Sequence, residues 1–162
     1  MLVLKIIINN TTYKLLNDLV ISNYFLINIF DEGICITQNL SSSSNISVFI
    51  DKKYLDLHQV LQEKSLVCES LDLLKNFEVT YDDGYKLNGK AKIVNDCCNT
   101  CKLLKDIEFP NIEINFDQLN LNDKIKSLEK NKFNILISEK FNGILLKTNY
   151  LNLVIYINII SS

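Results

Sequence analysis

Apolar and polar positions alternate along most of this chain with the two-residue period of strands, and three stretches switch to a helical spacing. Residues 2–8 are apolar apart from Lys5 and predict a strand. Asn9, Asn10, Thr11 and Thr12 follow with N-cap chemistry. Residues 11–20 then predict a helix, with Leu15, Leu16, Leu19 and Val20 as its apolar stripe and Lys14, Asn17 and Asp18 opposite. Residues 24–30 read as a strand, Asp31-Glu32-Gly33 as a tight acidic-glycine turn, and residues 34–38 as the returning strand. On that strand Ile34, Ile36 and Gln38 share one face, with Cys35 and Thr37 on the other. A Ser/Asn loop at 41–45 leads to a third strand at 46–50.

Residues 51–64 fit either a short strand or one or two helical turns. Residues 66–68 read as a strand entering a second helix at 70–77, with Leu71, Leu74 and Phe77 on its buried side. Strands at 78–81 and 85–87 flank the turn Asp82-Asp83-Gly84. Asn88-Gly89 predicts a hairpin into a strand at 90–94. Residues 95–100 read as a polar loop, and residues 102–111, with the lone proline Pro110, as an extended connector. A strand at 112–116, a helix at 123–130 capped by Asn122, and strands at 133–138, 143–148 and 151–160 complete the chain. The order strand, helix, strand, strand, strand occupies residues 2–50 and again 112–160, with a poorer copy at 66–108. A pattern recurring at such spacing points to a repeated supersecondary unit.

Composition narrows the function classes. The chain has 162 residues, 48% of them hydrophobic, enough for a core without staples. A net charge of −2 excludes a uniformly basic nucleic-acid binder, though not a local basic face. Every cation is a lysine; arginine, which reads guanine and phosphate bidentately, is absent, as is tryptophan. Contact with a phosphate backbone through lysine point charges stays open. Five cysteines, with Cys35 and Cys68 in apolar strands, fit a reducing compartment. The apolar stretches at 1–8 and 151–160 read as strands and not as a leader or an anchor, so the expectation is a soluble intracellular protein.

Few clusters carry chemistry. Lys124, Lys126 and Lys130 form the best basic group, readable as a phosphate-tracking face or as an ordinary solvated helix face. Cys97, Cys98 and Cys101 contain one C-x-x-C without a second pair, so neither zinc nor a redox centre is expected. His58 is the lone histidine, with no nucleophile motif beside it. The pairs Asp31-Glu32 and Asp82-Asp83 precede glycines and are accounted for by turn chemistry. With four glycines no phosphate-binding loop exists. The strip Ile107-Glu108-Phe109-Pro110 is either a partner-binding surface or plain core.

The repeated order, with an acidic-glycine turn followed by a Ser-rich loop, resembles the sliding-clamp (PCNA-like) family in a divergent, shortened form. The matching stretches are residues 14–20, the run Asp31-Glu32-Gly33-Ile34-Cys35-Ile36-Thr37-Gln38, and residues 41–50, 66–77 and 103–116. The resemblance implies an α+β fold of β-α-β-β-β units with helices on one face of antiparallel sheets. It implies a clamp-like domain at 1–108 and a connector plus further unit at 109–162, or one compact domain throughout. Lys14, Lys75, Lys124, Lys126 and Lys130 would face duplex DNA. Leu40, Ser44, Ile107, Phe109 and Pro110 would border a groove for partner peptides. The implied function is a non-enzymatic processivity or scaffold protein, oligomeric, without cofactor or metal. Its partners would be the duplex backbone and proteins of replication, repair or transcription. The alternative is a structural or interaction subunit of a larger replication or transcription complex, a viral or plasmid one included, with a clamp fold but no DNA encirclement.

Overall fold

A computed structural model describes residues 1–19, 24–88, 91–96, 99–116 and 123–160, and the side chains of these except at 94–96, 99–101 and 123–124. Val20, Gly89, Cys97, Cys98 and Asn122 lie outside the described residues, as do the side chains of Cys101 and Lys124.

The first unit begins with β1 (Leu2–Ile8) and α1 (Asn10–Asn17). Asn9 caps α1: its side-chain oxygen accepts the Thr12 N–H at 2.7 Å, and its amide donates to Tyr54 O at 2.7 Å. Three antiparallel strands follow: β2 (Phe25–Phe30), β3 (Gly33–Ser41) and β4 (Ser44–Asp51). The ambiguous stretch after them resolves into both of its readings. Lys52–Tyr54 is a single 3₁₀ turn, and β5 (Leu55–Val60) returns along β1.

The second unit comprises β6 (Lys64–Cys68), a 3₁₀ helix at Leu71–Lys75, β7 (Phe77–Tyr81), β8 (Tyr85–Leu87) and β9 (Ala91–Asp96). It joins the first unit reciprocally: β1 pairs antiparallel with β7, and β2 with β6. The first strand of each unit thus lies on the second strand of the other, a local twofold arrangement. The hairpin expected at Asn88-Gly89 does not form. β8 runs beside β7 in a four-stranded sheet of order β5-β1-β7-β8, whereas β9 lies beside β6 in a nine-stranded sheet. Asn88 instead serves as an extra rung of the first sheet: its side-chain oxygen accepts the Glu78 N–H at 2.6 Å and its amide donates to Asn76 O at 3.0 Å.

The polar loop and extended connector expected at 95–111 are corrected as well. β9 runs to Asp96, and α2 (Asn99–Lys105) replaces the start of the connector, leaving only residues 107–110 extended. Its helicity comes from a surface that the local sequence does not reveal: Leu104 is buried against the nine-stranded sheet, and Lys102 and Lys105 pair with Glu63 and Glu32.

The third unit has β10 (Glu113–Asn115), a 3₁₀ segment at Asp123–Leu128 kinked at Ile125, β11 (Lys132–Ser138), β12 (Gly143–Tyr150) and β13 (Leu153–Ile160). β13 pairs antiparallel with β4, from Val154 opposite Phe49 to Ile159 opposite Ser44. The full order is β10-β11-β12-β13-β4-β3-β2-β6-β9. Read outward from the β13–β4 seam, the last three strands of two units run in mirrored succession.

Strand alternation gives the large sheet two apolar faces. The inner one carries the main core, where Ile27, Ile34, Ile36, Val48, Ile155 and Ile157 pack with β1 and β7 residues. The helical segment of each unit turns its apolar positions into this core: Leu16 with Leu19 just after α1, Leu71 and Leu74, and Ile125 and Leu128. This is α+β architecture with the helical segments of the units on one face of antiparallel sheets, while the connecting helix α2 lies on the other. A second cluster, Phe30, Cys35, Phe49, Leu104, Leu145 and Tyr156, occupies the other face.

Candidate functional site

The helical side is where a nucleic-acid face would stand. Tyr13 on α1 donates its hydroxyl hydrogen to the Asp72 carboxylate, and the Lys75 ammonium lies 4.6 Å from the Tyr13 ring centre. Ser127 donates to Asp18 O at 3.2 Å, and Tyr150 donates to the Asp18 carboxylate at 3.1 Å. The three segments are therefore contiguous. Lys14, Lys75, Lys126 and Lys130 are all exposed on them, but so are Asp18, Asp72 and Glu129. Lys75 is partly neutralised by Asp72 at 3.4 Å. The hydrogen bond from Tyr13, with the Lys75 charge behind it, holds the Asp72 carboxyl below its ordinary range; the same bond pushes the Tyr13 hydroxyl up.

The opposite face holds a cavity of about 240 Å³ between α2, the β11–β12 loop and the sheet. Its walls include Leu104, Phe141, Leu145 and Tyr156, with Asn28, Asn45 and Asn158 among the polar lining. The Asn158 side-chain oxygen is buried with no hydrogen-bond partner among the described residues, an acceptor that costs free energy while unpaired. Burial pushes the Tyr156 hydroxyl up to about 12, with the Cys35 and Asp106 charges adding to it.

α2 closes one side of this cavity and is held by charge. Lys102 bonds Glu63, and Lys105 bonds Glu32 while its ammonium stands 4.3 Å from the Phe49 ring centre. Glu63 also accepts the Asp31 N–H at 2.9 Å. Burial pushes the Glu63 carboxyl up, but Lys102 and the Asp31 N–H outweigh it, and the group sits below its usual range. Glu32 is thus more than a turn residue.

The five residues assigned to a partner groove are not brought together. Leu40 is buried in the main core, and Ser44 is buried beside it, 2.7 Å from the Ser41 hydroxyl. Both belong to the inner side. Ile107 and Phe109 are half-buried against the outer cluster, Phe109 with its ring centre 6.3 Å from that of Tyr156, and Pro110 is exposed. The outer-face residues that sequence reasoning missed are Leu104, Phe141, Leu145 and Tyr156. Strand parity carried the signal for two of them, since Leu145 and Tyr156 alternate with inward-facing neighbours.

Other candidates resolve plainly. His58 Nε2 lies 2.8 Å from Phe30 O, and a carbonyl oxygen only accepts, so that nitrogen carries the proton. Asp82-Asp83-Gly84 is a turn, with Asp83 at φ 55° and Gly84 at φ 126°. Cys35 and Cys68 are buried, and burial pushes the Cys68 thiol up to about 11. Among the described residues no group of three or more His, Cys, Asp and Glu side chains is placed to hold a metal ion, and no helix is long and apolar enough to cross a membrane.

Repeated β-α-β-β-β units, the first two paired reciprocally, with their helical segments on one side of a continuous antiparallel sheet, define a sliding-clamp fold. PCNA from Thermococcus kodakaraensis superposes on the chain with a TM-score of 0.50 at 11% identity, covering 97% of this chain and 99% of that one. A structure of the C-terminal region of FEN-1 bound to A. fulgidus PCNA is similar at 10% identity and a TM-score of 0.47, covering 97% of each chain. No protein-family model matches the chain, and no curated protein does either. The chain has a PCNA-like clamp fold in a divergent sequence.

Proposed function

We propose that this is a non-enzymatic clamp-like scaffold of DNA processing. It docks partner peptides on its outer face and touches the duplex backbone through its helix-face lysines. The observation that carries this reading is the division of labour across the large sheet. Three contiguous helical segments with exposed Lys14, Lys75, Lys126 and Lys130 stand on one side, and a cavity rimmed by apolar side chains lies under α2 on the other. Residues 1–108 form the clamp-like domain in this reading, and residues 109–162 the connector and further unit. An apolar anchor from a partner would enter beside Leu104 and Tyr156, with Ile107, Phe109 and Pro110 along the approach. Lys124 counts with the other lysines on sequence grounds.

Duplex binding measured by fluorescence anisotropy against salt tests the reading. Each lysine–phosphate contact contributes about −0.9 to the log–log salt slope. Four or five lysines diluted by three carboxylates predict weak binding with a slope of about −3, and replacing Lys126 and Lys130 by glutamine should flatten it by about 2. Absence of duplex binding at low salt overturns DNA contact. It would leave the second reading, an interaction subunit with the clamp fold alone, which the neutralisation of Lys75 by Asp72 favours.

A further inference from the structure

The outer face carries a second hollow, an open groove of about 770 Å³ beside the connector. Ile107, Glu108 and Phe109 form one wall, and β11 and β12 form the floor, with Lys132 and Lys147 on it. Asn134 stands opposite Lys147, and Lys147 opposite Tyr156. Residues directly opposed in an antiparallel ladder share a face, as do residues two apart on one strand. Both lysines therefore lie on the Tyr156 side of the sheet. The floor is braced: Thr148 donates to Lys132 O at 2.9 Å, and Asn131 donates to Asn149 O at 2.8 Å.

Lys147 is the anomaly on this floor. Among the described residues four lysines are half-buried: Lys5, Lys102, Lys105 and Lys147. The first three each meet a carboxylate, Glu78, Glu63 and Glu32 respectively. Lys147 meets two rings instead, its ammonium 5.8 Å from the ring centres of Phe109 and Tyr156. Ring faces attract a cation, but three N–H donors also need acceptors, and a partly desolvated charge needs a counter-charge. Among the described residues neither Lys147 nor the exposed Lys132 forms an ion pair. Glu108, the one carboxylate on the described walls, is exposed and bridges to neither.

We propose that this groove takes an acidic, extended segment of a partner protein, one of whose carboxylates closes on Lys147 while another faces Lys132. Charge selects this occupant, because two unpaired ammoniums against one carboxylate leave the groove positive on a chain of net charge −2. Position selects a peptide over a free anion. Phe109 lines the groove and Tyr156 lines the cavity under α2, their ring centres are 6.3 Å apart, and Lys147 stands against both. A chain whose apolar side chain enters the cavity carries its neighbouring residues past Lys147. The assignment rests on the peptide docking proposed above and adds a charge preference to it: an acidic residue beside the apolar anchor, read by Lys147. A duplex is the weaker candidate, since the helical segments that would meet it lie on the other side of the sheet.

Fluorescence anisotropy on the full chain with two pools of labelled decapeptides tests this. Both pools carry a central leucine–phenylalanine pair, flanked by aspartates in one and by asparagines in the other. At low salt the aspartate pool should bind about fivefold tighter, and Lys147→Met should abolish the difference. That variant keeps the stem against the rings and removes a charge without a counter-charge, so its melting temperature should be unchanged or higher. Equal affinity for the two pools overturns the acidic preference and leaves peptide docking standing. An aspartate preference that survives in folded Lys147→Met overturns it too, as does displacement of the aspartate pool by a duplex oligonucleotide through Lys147. A preference that needs Lys147 but is unchanged in Leu104→Ala supports the groove while docking beside Leu104 fails. Binding of neither pool at millimolar chain overturns both.

Discussion

Gly33 and Gly143 meet the same obstacle in two different units: a Cβ on Gly33 would lie 2.0 Å from Ile50 O, and one on Gly143 would lie 2.0 Å from Ile159 O. Each opens a strand beside the last strand of its unit, opposite Asp51 and Ile160 respectively. The obstruction is backbone, so no side chain can swing away to relieve it. Gly33→Ala and Gly143→Ala should each destabilise the chain by roughly 2–3 kcal/mol. Gly33→Ala should cost more, because its ladder lies against a filled core. Denaturant midpoints at constant slope check both, and a neutral Gly143→Ala would contradict the equivalence of the two sites.

Asn9 satisfies two backbone groups at once, the Thr12 N–H and Tyr54 O. Asn9→Ala removes a cap and a tie between α1 and the turn before β5. A loss of about 1–2 kcal/mol is expected. Asn9→Asp keeps the cap and loses the donor to Tyr54, so it should fall between the two in thermal melts.

Leu151 sits at φ 55° in the turn between β12 and β13, with its side chain 78% exposed. A leucine there bears left-handed strain and contributes no core contact. Leu151→Gly or Leu151→Asn should stabilise by about 0.5–1 kcal/mol. A lower melting temperature for both variants would refute it.

The hold of Glu63 on α2 is pH-dependent in a definite direction. The Glu63 carboxyl, raised by burial but lowered more by Lys102 and the Asp31 N–H, is depressed below its ordinary value in the folded chain, so its contribution is present above the unfolded value. It is lost as pH falls through the lower folded one. Exposure of 35% at Lys102 and 28% at Glu63 limits the pair to about 1 kcal/mol or less. Acidification below the usual carboxylate range should therefore loosen α2 before the main core unfolds. The same release is expected at neutral pH in Glu32→Gln/Glu63→Gln. Cys35 lies in the cluster that Leu104 covers, and a disulfide exchange reagent that works in acid reads it in a chain with Cys97, Cys98 and Cys101 replaced by serine. Cys35 should react several-fold faster on release while Cys68, in the main core, does not. Equal acceleration of both thiols would mean global unfolding and no latch.

The large sheet divides what was legible from what was not. Strand positions, the acidic-glycine turn and the recurrence of the unit follow from alternation and turn chemistry, which act over a few residues. So does the clamp-like α+β class, because the order of elements restricts how apolar faces can be buried. Local pattern gives loop and connector where α2 lies, because the helix depends on Glu32 and Glu63, far away in sequence. Asn88-Gly89 looks like a hairpin by local preference, yet the flanking strands are claimed by different sheets. The five groove residues were separated for a similar reason: Leu40 and Ser44 fall on the inner parity of the sheet, Ile107 and Phe109 on the outer side.

Apolar stripes and turns are written locally in the residues, and with them a repeated unit able to bury one helix side on one sheet face. The sequence places isoleucine at matching positions near Gly33 and Gly143. That Ile29 is enclosed and Ile137 stands in water follows from long-range packing. Periodicity specifies which face of a strand is apolar, whereas burial depends on whether a second layer arrives to cover it. For the first unit that layer is the four-stranded sheet, and among the described residues the third unit has none.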